Sequence, residues 1–216
     1  MKKFGLIGYP IAHSQSPMLF KEAYGGKYPY FLIEEEDFGK AWQRFLDGGF
    51  AAINVTAPFK EMAYSNSDIA DESADRCRAA NIIVREGSQL HAYNSDYLAV
   101  RSILSALGEG TVAVIGGGGA GRAALLAAGE LGRDVRLIRH NQLQEEAVCA
   151  DIVVFTLPQS APGYENIRCK HLLEANYKNP CCRELRGISH YTGGEVWLRE
   201  QARLGYALMT GEEPAL

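Results

Sequence analysis

The run Thr111-Val-Ala-Val-Ile115, followed by Gly116-Gly-Gly-Gly-Ala-Gly121 and an alanine- and leucine-rich stretch to Leu131, constrains this chain more than any other segment. A continuous β-branched run of this kind fits a strand buried on both faces of a parallel sheet. The helix that follows ends at Gly132, and Val135–Ile138 supplies the next strand. In the resulting β-loop-α-β unit, Gly116-x-Gly118-x-x-Gly121 has the spacing that permits a tight turn and lets backbone N–H groups meet a pyrophosphate at a helix N-terminus. Close strand-helix packing needs glycine for a different reason, and the two readings are compatible.

Upstream, short apolar runs alternate with helical patterns: Phe4–Gly8, Met18–Tyr24, Tyr30–Ile33, Phe38–Leu46, Ala51–Asn54 and a helix around Ala70–Arg78. Such alternation argues for an α/β fold with mostly parallel strands. Ile82–Val84 and Leu90–Tyr93 flank the turn composition Glu86-Gly87-Ser88 and read as a β-hairpin. Tyr97–Leu107 is helical by spacing and ends at Gly108. Asp151–Leu157 and Leu172–Tyr177 are further strand candidates, and Glu195–Met209 is a final helix. The expected organisation is a substrate-binding and catalytic domain over residues 1–105, completed by residues 195–216, and a Rossmann-like dinucleotide-binding domain over residues 106–194.

A net charge of −4 and a pI near 5.8, with no lysine- or arginine-rich run, exclude nucleic acid as the expected partner. No stretch approaches the roughly 20 apolar residues of a membrane span. The apolar run after Met1-Lys-Lys is stopped by Gly8 and Pro10 and reads as a first strand, not a leader. Five irregularly placed cysteines (Cys77, Cys149, Cys169, Cys181, Cys182) point to a reducing, cytoplasmic setting. Adjacent Cys181 and Cys182 offer poor chelating geometry, so no metal site is expected.

Lys60 follows a strand ending in Asn54 and Thr56, and Asp96 sits at a strand-to-helix junction where it could cap the helix. A lysine held by a carboxylate can deliver a proton to a carbonyl oxygen as hydride reaches the carbon; two distant surface charges are the other reading of the same residues. Ser14, Ser16, Asn54, Thr56, Asn81 and Asn94 are short neutral donors and acceptors suited to a hydroxylated ring or, singly, to turn and cap duty. His13, beside Ser14, reads as a structural hydrogen-bonding partner. Where an NAD-specific site would place an acidic residue after the second strand, the chain has Arg139-His140-Asn141. Arg139 suits a 2′-phosphate, which favours NADP, or it is a solvated charge at a strand end.

Taken together, Gly8-Tyr-Pro with His13-Ser-Gln-Ser-Pro17, Asn54-Val-Thr-x-Pro-x-Lys60, Ala79-Ala-Asn81, Asn94-Ser-Asp96, the glycine loop and Gly194-x-x-Trp-Leu-x-x-Gln201-Ala resemble the shikimate dehydrogenase family. The resemblance implies NADPH-dependent reduction of 3-dehydroshikimate to shikimate in aromatic amino-acid biosynthesis. It places Ser14, Ser16 and Tyr177 at the substrate carboxylate and Asn54, Thr56, Asn81 and Gln201 around the ring. Lys60 and Asp96 fall at the reacting centre, and the cofactor lies on Gly116, Gly118, Gly119, Ala120, Gly121 and Arg139. A final helix returning to the N-terminal domain and a monomer or homodimer without membrane or nucleic-acid partners complete the expectation.

The chain departs from the family at several points. Ile82 follows Asn81 where the family has threonine, and Tyr97 and Ala99 replace glycines after the aspartate and would crowd the pocket rim. Phe155-Thr156-Leu157 stands for Asn-Ala-Thr. Only about a dozen residues separate Arg139 from the strand at Asp151, so a helix and a strand of the cofactor domain are expected to be missing, with weaker cofactor binding as the consequence. A quinate/shikimate dehydrogenase with NAD preference and a non-catalytic shikimate-binding regulatory module are the competing readings.

Overall fold

The structure, a computed structural model, describes residues 1–145 and 147–216. The chain divides into two compact units, residues 1–95 with 201–216 and residues 96–200.

The first unit contains β1 (Phe4–Gly8), α1 (Ser16–Tyr24), β2 (Tyr30–Glu34), α2 (Phe38–Asp47), β3 (Ala52–Val55), α3 (Lys60–Ser65), β4 (Ile69–Ala70), α4 (Glu72–Cys77), β5 (Ile82–Glu86) and β6 (Gln89–Tyr93). Its sheet runs in the order β2-β1-β3-β5-β6-β4. β1 and β3 are buried at every position, the signature of strands covered on both faces. The edge strand β2 exposes Phe31 and Glu34.

Two of the helix starts carry side-chain caps. Asp37 accepts from Lys40 N at 2.8 Å ahead of α2, and Asp71 from Ala74 N at 3.0 Å ahead of α4. α2 buries Ala41, Trp42 and Phe45 against the sheet, in a core with Ile7, Ile53 and Phe59. Most pairings in the sheet are parallel, as the alternation implied: β1 pairs in parallel with β2 and β3 and β4 with β6, while β5 lies antiparallel to β3 and β6. The β5-β6 hairpin turns through Gly87, whose φ of 62° suits glycine.

The second unit contains most of α5 (Ser95–Ala106), then β7 (Val112–Ile115), α6 (Gly119–Glu130), β8 (Val135–Ile138), β9 (Cys149–Phe155), β10 (Arg168–Glu174) and β11 (Ile188–Thr192). All its strands are parallel, in the order β11-β10-β9-β7-β8. This is a Rossmann-like arrangement in which, among the described residues, no strand stands outside β8 as one does in the six-stranded form. After β8 the described residues form a 3-10 turn over His140–Gln144 and then β9, which pairs with β7. β10 begins and ends earlier than the run Leu172–Tyr177 implied, which leaves Tyr177 in a loop, and β11 was not foreseen.

α7 (Gly194–Thr210) contributes its residues from Gln201 onward to the first unit. There the Tyr206 ring meets Phe20 edge-on at 4.9 Å, and Tyr24 and Thr210 share a hydrogen bond of 2.8 Å. Among the described residues, no helix is long and apolar enough to cross a membrane.

Candidate functional site

In the first unit the candidate residues gather at one edge of the sheet because of its pairing. Register sets Ile7 beside Val55, so the loops after β1 and β3 leave the sheet together. They are stitched by Thr56 N donating to Ile7 O at 3.0 Å and Tyr9 N donating to Ala57 O at 3.1 Å. Ligands of open α/β sheets sit at such carboxyl ends. Because β5 is antiparallel, its beginning lies at the same edge: Asn54 is opposite Ile82, and Val55 N donates to Asn81 O at 2.8 Å. β6 returns there too, with Tyr93 opposite Ile82, and delivers Asn94 and Ser95.

Each side chain has a defined setting. Ser14 Oγ donates to Ser16 Oγ at 3.2 Å and accepts from Ser16 N at 3.2 Å, just where α1 begins. Tyr206 on α7 donates to Ser16 O at 3.2 Å. Asn54 is buried, and its Oδ1 accepts from Tyr30 Oη at 2.7 Å. Burial, followed by the neighbouring Tyr206, holds the Tyr30 phenol well above its ordinary pKa, so it stays a donor. Thr56 and Lys60 are half-buried; Lys60 opens α3, and its carbonyl accepts from Ala80 N at 2.9 Å.

Asn81 and Ser95 are buried and bonded to each other: Ser95 N donates to Asn81 Oδ1 at 2.7 Å and Asn81 Nδ2 donates to Ser95 Oγ at 3.0 Å. Ser95 Oγ also lies 3.2 Å from Gln201 Oε1, which ties α7 to the same edge. Sequence alone gives no sign that Tyr30 and Ser95 bond to Asn54 and Asn81, since only strand register reveals these neighbours. Asn94 fulfils a local role, donating through Nδ2 to Ala79 O at 2.9 Å. His13 is exposed.

Asp96, Tyr97 and Tyr177 lie in the second unit, with the glycine loop and Arg139. α5 begins at Ser95, so Asp96 stands inside the first helical turn and not at the cap, a position that favours a negative charge. Its carbonyl accepts from Trp197 Nε1 at 3.2 Å. Tyr97 is 4% exposed, and its hydroxyl donates to Glu130 at the end of α6. Tyr177 is half-buried, which raises its phenol pKa. Its loop presses on the start of α7, where a Cβ on Gly194 would come within 2.7 Å of Tyr177 N.

The glycine loop divides its tasks among its members. Gly116 takes φ of +102°, and a Cβ there would meet Thr156 Oγ1 at 2.6 Å. Thr156 Oγ1 reaches Ile115 O at 2.8 Å and fastens the loop from β9. Gly121 packs against the loop so closely that a Cβ would lie 1.9 Å from Gly116 O. Gly118, which caps α6, and Gly119 have nothing within 4 Å of a built Cβ and leave the helix N-terminus open to a ligand.

Ile115, Ile138 and Phe155 are in register, so the loops after β7, β8 and β9 bound one cleft of about 530 Å³. Gly116, Gly117, Leu137, Arg139, His140 and Leu157 line it. Backbone donors at a helix start, an open approach and a cation at the second strand fit a dinucleotide carrying a 2′-phosphate.

Residues 6–83 match the family model described as the shikimate dehydrogenase substrate binding domain. The NADP(+)-dependent shikimate dehydrogenase of Halobacterium salinarum is 34% identical over 161 residues, 70% of this chain and 60% of that protein, so the matched part spans under two thirds of its length. The Bacillus licheniformis shikimate dehydrogenase is 28% identical over an alignment covering 98% of this chain and 92% of the relative. Among solved structures, the Mycobacterium tuberculosis shikimate dehydrogenase superposes with a TM-score of 0.83 at 27% identity, covering 100% of this chain and 95% of that one. The Thermus thermophilus enzyme in complex with NADP(H) and shikimate gives 0.82 at 25%, covering 99% and 95%. The serine loop, the Asn-Val-Thr strand end and the glycine loop thus occur in a fold shared with these proteins, and residues 6–83 carry the match to the shikimate dehydrogenase substrate binding domain.

Proposed function

We propose that the protein reduces 3-dehydroshikimate to shikimate with NADPH, and runs the reverse reaction with NADP, as a step of aromatic amino-acid biosynthesis. The observation that supports this most is the Asn81-Ser95-Gln201 network beside the Ser14-Ser16 and Thr56 loops, a set of neutral hydrogen-bonding groups suited to a ring bearing hydroxyls. We assign Ser14, Ser16 and Tyr177 to the substrate carboxylate and Asn54, Thr56, Asn81 and Gln201 to the ring. Residues 1–105 and 195–216 act as the substrate-binding and catalytic part, and residues 106–194 as the cofactor-binding part.

The residues of the second unit fit a dinucleotide. Gly116, Gly118, Gly119, Ala120 and Gly121 would hold its pyrophosphate and Arg139 its 2′-phosphate; the bound cofactor supplies hydride. As a ketone carbon is reduced, negative charge gathers on its oxygen. Lys60 supplies the proton or the stabilising charge there, and Asp96 takes part in the same proton transfer. The five cysteines form no disulfide among the described residues, which accords with a reducing cytoplasmic setting.

Ligands that bind the native state raise its melting temperature, so a melting screen tests the assignment. Shikimate and NADP are expected to raise the transition, quinate and NAD less. A larger rise with quinate or NAD would overturn the substrate or cofactor assignment.

A further inference from the structure

The second unit holds another cluster of chemistry-bearing side chains that the proposed reaction does not use. Glu174, the last residue of β10, is fully buried, and among the described residues it forms no salt bridge. Its carboxylate is held by neutral donors: Cys181 N on Oε1 at 2.7 Å, and Cys182 N at 3.3 Å and Tyr191 Oη at 2.6 Å on Oε2. Each carboxylate oxygen offers two acceptor sites, so Oε1 retains one.

The thiols of Cys181 and Cys182 share this space. Their Sγ atoms stand 3.9 Å apart, closer than the poor chelating geometry expected of adjacent cysteines, and with a Glu174 oxygen all three lie within 4.8 Å of one another. Two thiolates bound at about 2.3 Å to one tetrahedral ion are separated by roughly 3.8 Å. The sulfurs already have that spacing. Cys182 is buried and Cys181 partly exposed, which gives an entry path from solvent.

We propose that Cys181, Cys182 and Glu174 form a binding site for one thiophilic divalent cation of the zinc type, with water as its fourth ligand. Thiolates select soft or borderline ions, and the carboxylate supplies further negative charge in a buried setting where, among the described residues, it forms no salt bridge. A bound ion ties the end of β10 to the loop that follows it, the loop that carries Tyr177.

The test uses the full chain, reduced and stripped by a chelator, in a Cys149→Ser background, because Cys149 is an exposed thiol elsewhere. Titration with Cd²⁺ is followed by thiolate-to-metal charge-transfer absorption, and Zn²⁺ by competition with a chromophoric chelator. The expected result is a saturable site for one ion, a rise in melting temperature on loading, and loss of the absorption in Cys181→Ser and in Cys182→Ser. Cys181 is partly exposed, so its serine variant is expected to fold even if Glu174→Gln does not. Absence of saturable binding, or binding unchanged in both serine variants, overturns the proposal; Glu174 would then only clamp the loop through its N–H bonds.

Discussion

Ser95 Oγ lies 3.2 Å from Gln201 Oε1, joining the end of the β5-β6 hairpin to a helix more than a hundred positions further along the chain. The same hydroxyl accepts from Asn81, so one small side chain orients two residues assigned to the substrate ring. Ser95→Ala leaves the Asn81 amide without its buried acceptor, at about 1–2 kcal/mol. Chemical denaturation checks that loss, and steady-state kinetics should show a raised KM for shikimate with the KM for NADP unchanged.

Gly121 and Gly129 lie on the same helix but in opposite circumstances. A Cβ at Gly121 meets the Gly116 carbonyl at 1.9 Å, whereas one at Gly129 meets nothing within 4 Å. Gly121→Ala is expected to destabilise by about 1–3 kcal/mol through overpacking. Gly129→Ala should stabilise by about 0.5–1 kcal/mol through helix propensity. Melting curves of the two variants distinguish these directions.

Arg139 lines the cleft after β8 and carries the proposed preference for NADP. Charge-assisted hydrogen bonds contribute about 1.5–3 kcal/mol, so Arg139→Ala should raise the KM for NADP roughly tenfold or more while leaving that for NAD nearly constant. Equal losses for both cofactors would remove the arginine from 2′-phosphate recognition.

Tyr30 predicts an alkaline limit to stability. Burial and the nearby Tyr206 raise its pKa well above the ordinary 10.0, so the folded state keeps the phenol proton that the unfolded chain releases above that pH. The unfolded state then binds fewer protons, and stability falls as pH rises past about 10. Tyr30→Phe should flatten this decline and, by removing the donor to Asn54, cost about 1 kcal/mol at neutral pH. Denaturation midpoints measured from pH 8 to 11 check both effects.

What the sequence revealed follows from local physics. Gly116 and Gly121 were legible because backbone conformation and close packing both demand glycine there, and the hairpin because Gly87 marks its turn. The shortened connection after Arg139 could be read from chain length alone. Relationships set by register could not be. Tyr30 meets Asn54 because β2 and β3 flank β1, and Asn81 reaches the site because β5 runs antiparallel. Tyr97 is buried and donates to Glu130, a partner 33 positions away that local sequence does not announce. β11, with Ser189 and His190 exposed, lacks the apolar run that announces a strand.

The most direct test of the proposed reaction is shikimate-dependent reduction of NADP by the full chain, with Lys60→Ala and Asp96→Asn beside it. General acid-base groups contribute on the order of 10²–10⁴ in rate. The account predicts turnover by the parent protein and losses of that order in kcat for each variant, with shikimate still raising the melting temperature. No turnover by the parent protein despite intact shikimate binding, or full activity in both variants, would contradict it.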